Sequence, residues 1–265
     1  MIYCSINGIE TQNVAANDRG LAFGDGLFTT GLIEQGELID LKAHLERLEQ
    51  GSAQLGIPKV MRNELISYIE KACLPHKKAV LKVIITAGLS HRGYARSKDV
   101  KPTCIVTVSS FPPTYETLMS SGITLGVSKN KIGLSTMLSG LKHLNRLEQV
   151  MIKEELSKNV FDDILVLNIH DEVIESSSSN FFYHVDGAWF TPDVTYSGVN
   201  GLMRQKILNT IAGIGVKNTF IEDIENASAM FVCNSISGII PVYSYLDKKL
   251  SMDVVSAFKD KFNDS

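Results

Sequence analysis

No stretch of this 265-residue chain approaches the roughly 18 consecutive apolar residues of a membrane-spanning helix. Its first residues, MIYCSINGIE, have neither a basic start nor a long apolar segment, so neither export nor a membrane span is expected. A basic block is also missing. With 26 Lys+Arg against 29 Asp+Glu and a net charge of -3, the chain has no electrostatic footprint for nucleic acid or an anionic membrane. Small anionic substrates would have to be met by individual arginines. The four cysteines, Cys4, Cys73, Cys104 and Cys233, are scattered without CxxC spacing, which predicts free thiols in a reducing cytoplasm rather than disulfides or metal ligands. No internal repeat is present, and the one low-complexity tract is the four serines at 176–179.

What is present centres on SGLKHLNRLEQVMIKEEL, residues 139–156. Leu141, Leu144, Leu147, Met151 and Leu156 recur near helical spacing and predict a helix from about residue 144 or 145 with one face buried. Lys142 stands just before it, near the capping residue Asn145, where a helix's positive end disfavours an ammonium. A neutral lysine amine is a nucleophile toward a carbonyl compound, pyridoxal phosphate among them. A lone lysine beside a helix is ordinarily a solvated surface group, so its neighbours decide. Residues 164–169 read as a buried strand, 170–172 as a turn, and a second strand from Val173 meets Glu175 and the serines. Glu175 by itself would be a surface carboxylate before a flexible loop. Phe181 and Phe182 argue otherwise, since a disordered serine loop seldom runs into an aromatic strand. Gly198 to Arg204, GVNGLMR, then opens a helix and offers unpaired N–H groups that suit a phosphate, although most such glycine loops are only turns. Asn234 and Ser235 interrupt an apolar strand pattern and are a second phosphate candidate.

The rest of the chain reads as scaffold in two domains, 1–110 and 122–265, with a linker at 111–121 marked by Pro112-Pro113. Asn7-Gly8 predicts a hairpin. The glycines at 20, 24 and 26 do not have the strand-GxGxxG-helix context of a dinucleotide site, and strand, turn about Glu37 and strand follow. Helices are predicted at 41–55 and 60–72, strands at 79–87, 104–109, 123–128, 230–233 and 239–245, and a last helix at 251–262. Arg47 is ordinarily a solvated helix arginine, but its planar guanidinium suits a phosphate. The loop SHRGYARS, with Arg92, Tyr94 and Arg96, is either a carboxylate clamp or a solvated hairpin tip.

LKHLNRLEQV, VIESSSSNFF, GVNGLMRQ and CNSISGIIPV, in that order, resemble the fold-type IV PLP enzymes, the class IV aminotransferase family. NDRGLAFGDGLFTT (17–30), HLERL (44–48) and HRGYA (91–95) fit as well, so the resemblance covers nearly the whole chain. GLKHLNRLEQV with FGDGLFTT is most similar to the 4-amino-4-deoxychorismate lyase branch. The resemblance implies an α/β (α+β) two-domain fold like that of D-amino-acid aminotransferases, with pyridoxal 5'-phosphate (PLP) in the inter-domain cleft. It implies Lys142 as the Schiff-base lysine and Glu175 as the pyridine-nitrogen partner. Arg47, Asn180, Leu202, Met203, Asn234 and Ser235 would complete the cofactor site, and Phe28, Arg92 and Tyr94 would face substrate. Phe28 stands where D-amino-acid aminotransferases have a tyrosine. Also implied are a cytoplasmic homodimer, a functional link to aminodeoxychorismate synthase, and formation of 4-aminobenzoate and pyruvate for folate. The alternative is an aminotransferase for D-amino or branched-chain amino acids.

Overall fold

Alternation of apolar and polar residues builds the first of two sheets in the computed structural model, which describes residues 1–90 and 92–265. By contact density the chain divides into two units, Met1–Pro112 with Lys142–Asn145, and Pro113–Leu141 with Arg146–Ser265.

In the first unit the strands β1 (Tyr3–Ile6) and β2 (Ile9–Glu10) flank Asn7-Gly8, whose φ values of 50° and 78° give the left-handed turn that this pair favours. A short helix α1 (Arg19–Phe23) follows, then β3 (Gly26–Glu34) and β4 (Glu37–Leu38). The β3–β4 turn falls at Gln35-Gly36, both with positive φ, rather than about Glu37. The glycine supplies the conformation that the turn needs, so it sets the register. Helices α2 (Leu41–Leu55) and α3 (Arg62–Cys73) precede the long strands β5 (Lys78–Thr86) and β6 (Thr103–Ser110). The sheet runs β2-β1-β6-β5-β3-β4 and is antiparallel throughout. One face packs through Leu27, Ile33, Leu81, Val83 and Ile85 onto Leu45, Leu48, Leu65 and Ile69 of α2 and α3. Its β3 neighbours on the opposite face, Phe28 and Thr30, are only half-buried. That alternation leaves one face of the strand for chemistry.

The second unit starts with a helix where the sequence predicts a linker. Pro112-Pro113 ends the strand pattern, but α4 (Thr114–Ser121) follows at once and packs Tyr115, Leu118 and Met119 on the second core. Then come β7 (Ile123–Ile132), α5 (Leu147–Leu156), β8 (Asp163–Asn168), β9 (Val173–Ser176), β10 (Asn180–Val185), β11 (Ala188–Pro192) and α6 (Leu202–Thr210). β12 (Gly215–Lys217), α7 (Ile221–Glu225), β13 (Ala229–Asn234), β14 (Gly238–Tyr245), β15 (Lys248–Lys249) and α8 (Met252–Asn263) complete the chain. The sheet order is β12-β11-β10-β13-β14-β7-β8-β9, with β15 on β14, and β7 pairs in parallel with both β14 and β8. β8, β9, β10 and β13 are almost wholly buried, as their apolar, aromatic and β-branched composition predicts. The four thiols are free, and three of them are buried. Among the described residues no helix is long and apolar enough to cross a membrane.

Candidate active site

Lys142 is not at the mouth of a helix. Residues 142–144 run extended along the start of β3: Phe28 N–H donates to Lys142 O (2.8 Å), Leu144 N–H donates to Gly26 O (3.0 Å), and Leu27 bridges His143. The leucine spacing looked helical, yet these backbone groups are taken by a strand more than a hundred residues away. Asn145 is used in the same way, its Nδ2 donating to Gly24 O at 3.2 Å, and does not cap the helix. α5 begins at Leu147 with Arg146 in the cap position, so Lys142 stands outside its first turn. The stripe is buried only in part: Leu141, Leu144 and Leu156 are half-buried, while Leu147 and Met151 are exposed. Ile152 is the one buried residue of α5, and Leu147 is 72% exposed.

Phe28 shapes the surroundings of the Lys142 amine, whose Nζ lies 4.9 Å from the ring centroid. Lys82 Nζ lies 4.6 Å from the same ring. Desolvation holds the Lys82 ammonium below its usual pKa range. Lys82 is a candidate for the same face that sequence reasoning did not single out. The signal was a single lysine inside the apolar strand AVLKVIITA, where a cation needs a reason to be.

Behind this face, α2 presents His44 and Arg47. His44 Nδ1 and Thr29 Oγ1 are 2.6 Å apart and buried. Burial first, and the Arg47 charge second, push the His44 imidazole down to about 4, against the opposing pull of Asp40. The imidazole is therefore neutral and packs against Gly31, where a Cβ would stand 2.5 Å from its Nε2. Arg47 itself is half-buried.

Residues 90 and 93–96 are held by hydrogen bonds and ion pairs to the first unit's scaffold. Arg19 donates to Tyr94 O (2.6 Å), Gly93 O and Ser90 Oγ, and to Asp25 at 2.7 Å. Arg96 is also bound to Asp25 and donates to Leu55 O and Gly56 O, both at 2.8 Å. Burial would raise the Asp25 carboxyl, but the hydrogen bonds and charges of Arg96 and Arg19 hold it below its ordinary value. Arg96 is thus committed to the scaffold and is not a carboxylate clamp. Arg92 is exposed and Tyr94 is 86% exposed, with its ring 5.4 Å from that of Phe23. His91 lies outside the described residues.

In the second unit Glu175 is 8% exposed, and its Oε2 accepts the Val199 N–H at 3.1 Å. Gly198 permits this approach. Its φ is 79°, and a Cβ there would stand 3.2 Å from the carboxylate. Val199 is bridged in turn to Gly140, through Gly140 N–H to Gly198 O (3.0 Å) and Asn200 N–H to Gly140 O (3.1 Å). The loop that holds Glu175 is therefore paired with the chain two residues before Lys142.

The two asparagines that the resemblance assigns to the cofactor site hold loops. Asn180 donates from Nδ2 to Val199 O (2.8 Å) and accepts the Gly201 N–H at Oδ1 (3.1 Å). Asn234 Oδ1 accepts from the N–H groups of Ile236 and Ser237, and its Nδ2 donates to Ser179 Oγ. Each amide fixes a loop. Ser235 lies in the turn that Asn234 closes, half-buried. Gly201 caps α6 with no side-chain hydrogen bond, so the Leu202 and Met203 N–H groups face outward from the helix start uncapped. Arg204 braces this turn through Asn200 Oδ1 and Pro192 O, both at 3.0 Å. A carboxylate sheltered from water and an uncapped helix start fit a group with a protonatable ring nitrogen and a phosphate.

Residues 26–245 match the model of the amino-transferase class IV family, and the chain belongs to that family. It is 34% identical to aminodeoxychorismate lyase of Vibrio harveyi over 89% of either chain. It is 27% identical to D-alanine aminotransferase of Bacillus licheniformis over 87% of this chain and 82% of that one. The crystal structure of 4-amino-4-deoxychorismate lyase from Pseudomonas aeruginosa superposes with a TM-score of 0.91 at 32% identity, covering 99% of this chain and 98% of that one. The resemblance read from the motifs is borne out.

Proposed function

We propose that this chain is a PLP-dependent lyase that converts 4-amino-4-deoxychorismate to 4-aminobenzoate and pyruvate. The observation that carries the choice over an aminotransferase is the full-length likeness to two proteins named as this lyase, at 34% and 32% identity. The apolar Phe28 ring with two lysine amines over it supports the same reading: it suits a cyclic substrate whose carboxylates lie away from the reacting carbon.

PLP, when bound, supplies the carbonyl that takes the substrate amine and the ring that receives the electron pair left by a departing proton. Lys142 supplies the amine that holds the cofactor and, once released, removes the proton from the amine-bearing ring carbon. The bond between the neighbouring ring carbon and the enolpyruvyl oxygen then breaks. A proton delivered to the departing enolpyruvate carbon gives pyruvate, and the ring becomes aromatic. Glu175, kept anionic and away from water, holds the pyridine-nitrogen proton. Leu202 and Met203 N–H, the Ser235 hydroxyl and Arg47 hold the phosphate, with Asn180 and Asn234 shaping the loops that carry these groups. Lys82, Arg92 and Tyr94 meet the substrate carboxylates.

A homodimer is supported by the apolar face of α5, where Leu147, Val150 and Met151 are exposed at i, i+3 and i+4. The working place is the cytoplasm, next to the synthase that makes the aminodeoxychorismate. The test is pyruvate release from aminodeoxychorismate beside keto-acid-dependent transamination of D-alanine and leucine, with borohydride reduction and peptide mapping of PLP. Rapid pyruvate release and a label on the Lys142 peptide are expected. Sustained amino transfer without pyruvate would overturn the lyase reading, and a reducible, fully active Lys142→Ala would overturn the lysine assignment.

A further inference from the structure

We infer that Asp25 is a positioning residue: its carboxylate holds the 93–96 segment through two arginines, while the glycines on either side of it hold the segment that carries Lys142. This rests on the proposed use of Lys142, Arg92 and Tyr94. All of these residues belong to the first unit, which takes in Lys142–Asn145.

Two arginines close on one carboxylate. Arg19 Nε donates to Asp25 Oδ2 at 2.7 Å, Arg96 Nε donates to the same oxygen at 2.9 Å, and Arg96 Nη2 is bound to Oδ1. The side chains of Arg19 and Asp25 are 4% and 12% exposed, so each charge depends on the other rather than on water. The remaining donors of the arginines go to backbone. Arg19 Nη2 reaches Tyr94 O at 2.6 Å, and its Nη1 reaches Gly93 O (3.3 Å) and Ala95 O (3.4 Å), so one guanidinium takes three successive carbonyls. A planar fork of donors can do this, and a lysine cannot. Arg96 Nη1 donates to Leu55 O and Gly56 O, which ties the far end of the segment to the end of α2. The Tyr94 ring lies 5.4 Å from that of Phe23, and the Arg19 guanidinium stands 4.9 Å from the Phe23 ring.

The backbone around Asp25 meets the lysine segment. Gly24 O accepts Asn145 Nδ2 at 3.2 Å, Gly26 O accepts the Leu144 N–H at 3.0 Å, and Phe28 N–H donates to Lys142 O at 2.8 Å. Both flanking positions need glycine. Gly24 has a φ of 63°, and a Cβ on it would stand 2.4 Å from Asn145 Oδ1; a Cβ on Gly26 would stand 2.5 Å from Ile85 O and 2.7 Å from Leu144 Cδ1. Asp25 O accepts the Ala87 N–H at 2.9 Å, which fixes the link to the residue that follows β5. Gly24-Asp25-Gly26 is thus a junction between the strand segment with Lys142 and the loop with Arg92 and Tyr94. Removing the carboxylate leaves the backbone bonds to residues 144 and 145 in place and two guanidinium groups with no anion between them. The loop is released and the lysine is not.

The experiment is limited trypsin digestion of the PLP-loaded protein, with cleavage after Arg92 and Arg96 timed by mass spectrometry, beside steady-state formation of 4-aminobenzoate from aminodeoxychorismate. Asp25→Asn removes charge-assisted hydrogen bonds that close the loop, so both cleavages should quicken by roughly tenfold or more. KM should rise by roughly tenfold while kcat changes less than about threefold, because the Lys142 segment keeps its backbone bonds. Arg96→Gln, at a side chain 25% exposed, should move KM and the Arg92 cleavage in the same direction and serves if Asp25→Asn does not fold. Wild-type cleavage and wild-type KM in either variant would overturn the assignment. Faster cleavage at an unchanged KM would overturn it too, as would a fall in kcat alone, which marks a merely structural role. A wild type that forms no 4-aminobenzoate while Asp25→Asn releases the loop would support the tether and sink the lyase reading, so the two failures are distinguishable.

Discussion

Replacing Gly198 with alanine probes the placement of Glu175 without touching the carboxylate. The φ of 79° puts this residue in the left-handed region, where an L side chain costs about 1–2 kcal/mol. The new methyl would also stand 2.5 Å from Ile174 Cγ2 and 3.2 Å from Glu175 Oε2. Ile174 is buried in β9, so relief requires a rotamer change or a strand shift, and overpacking of that kind costs about 1–3 kcal/mol. Gly198→Ala should therefore lose about 2–5 kcal/mol.

Gly187 supplies the control. Its φ is 80°, and a Cβ there meets nothing within 4 Å, so Gly187→Ala has the backbone cost alone. Urea unfolding of both variants beside wild type gives the comparison, with the excess for Gly198→Ala expected at about 1–3 kcal/mol. Turnover separates them further, because only Gly198→Ala displaces the carboxylate. Equal destabilisation and equal turnover in the two variants would refute the close approach, and with it the claim that Gly198 sets the position of Glu175.

Two other outcomes follow from groups outside the chemistry. Because the folded imidazole of His44 is held at about 4, the unfolded chain takes up a proton first as pH falls below about 6.5; stability is full above that value and drops toward pH 4. The loss across that window is about 3 kcal/mol, and His44→Gln should flatten it in urea titrations at pH 7, 5 and 4; an unchanged pH slope in the variant would contradict the buried neutral imidazole. Leu147→Asp combined with Met151→Asp should convert a dimer to monomer by light scattering, and a dimer that survives both charges does not use the α5 face.

Legibility in the sequence followed the range of the interactions. The bounds of α2 coincide with those predicted, 41–55, because Leu41, Leu45, Leu48 and the left-handed Gly56 are local signals. The start of α5 did not, since Leu141 and Leu144 keep helical spacing while their segment pairs with β3, a partner that no local pattern reveals. α4 was missed for a related reason, although the two units divide at Pro112 and Pro113, within the predicted linker. Two prolines mark the end of a strand, but the apolar face of Thr114–Ser121 is too short a pattern to announce a helix. In the proposed site, Lys142 and Glu175 were visible as residue types that the proposed chemistry requires.

The loops show a structural use for the two asparagines. An amide beside a phosphate-binding turn has two uses, to touch the ligand or to hold the turn, and sequence cannot separate them. Here Asn180 uses both ends of its amide on residues 199 and 201, with a Cβ on Gly201 excluded by its Oδ1 at 2.0 Å. Asn234 likewise spends its oxygen on Ile236 and Ser237. What these amides leave for an anion is backbone: the N–H groups of Leu202 and Met203, aimed by a helix whose first residue has no side-chain cap. Backbone donors are set by loop geometry and not by the side chains of the residues that bear them, so Leu202 and Met203 can be apolar and still bind a phosphate. In the proposed phosphate site, Asn180, Asn234 and Arg204 act beside Ser235 and Arg47 without touching the ligand, each holding a turn in the shape that presents the backbone donors.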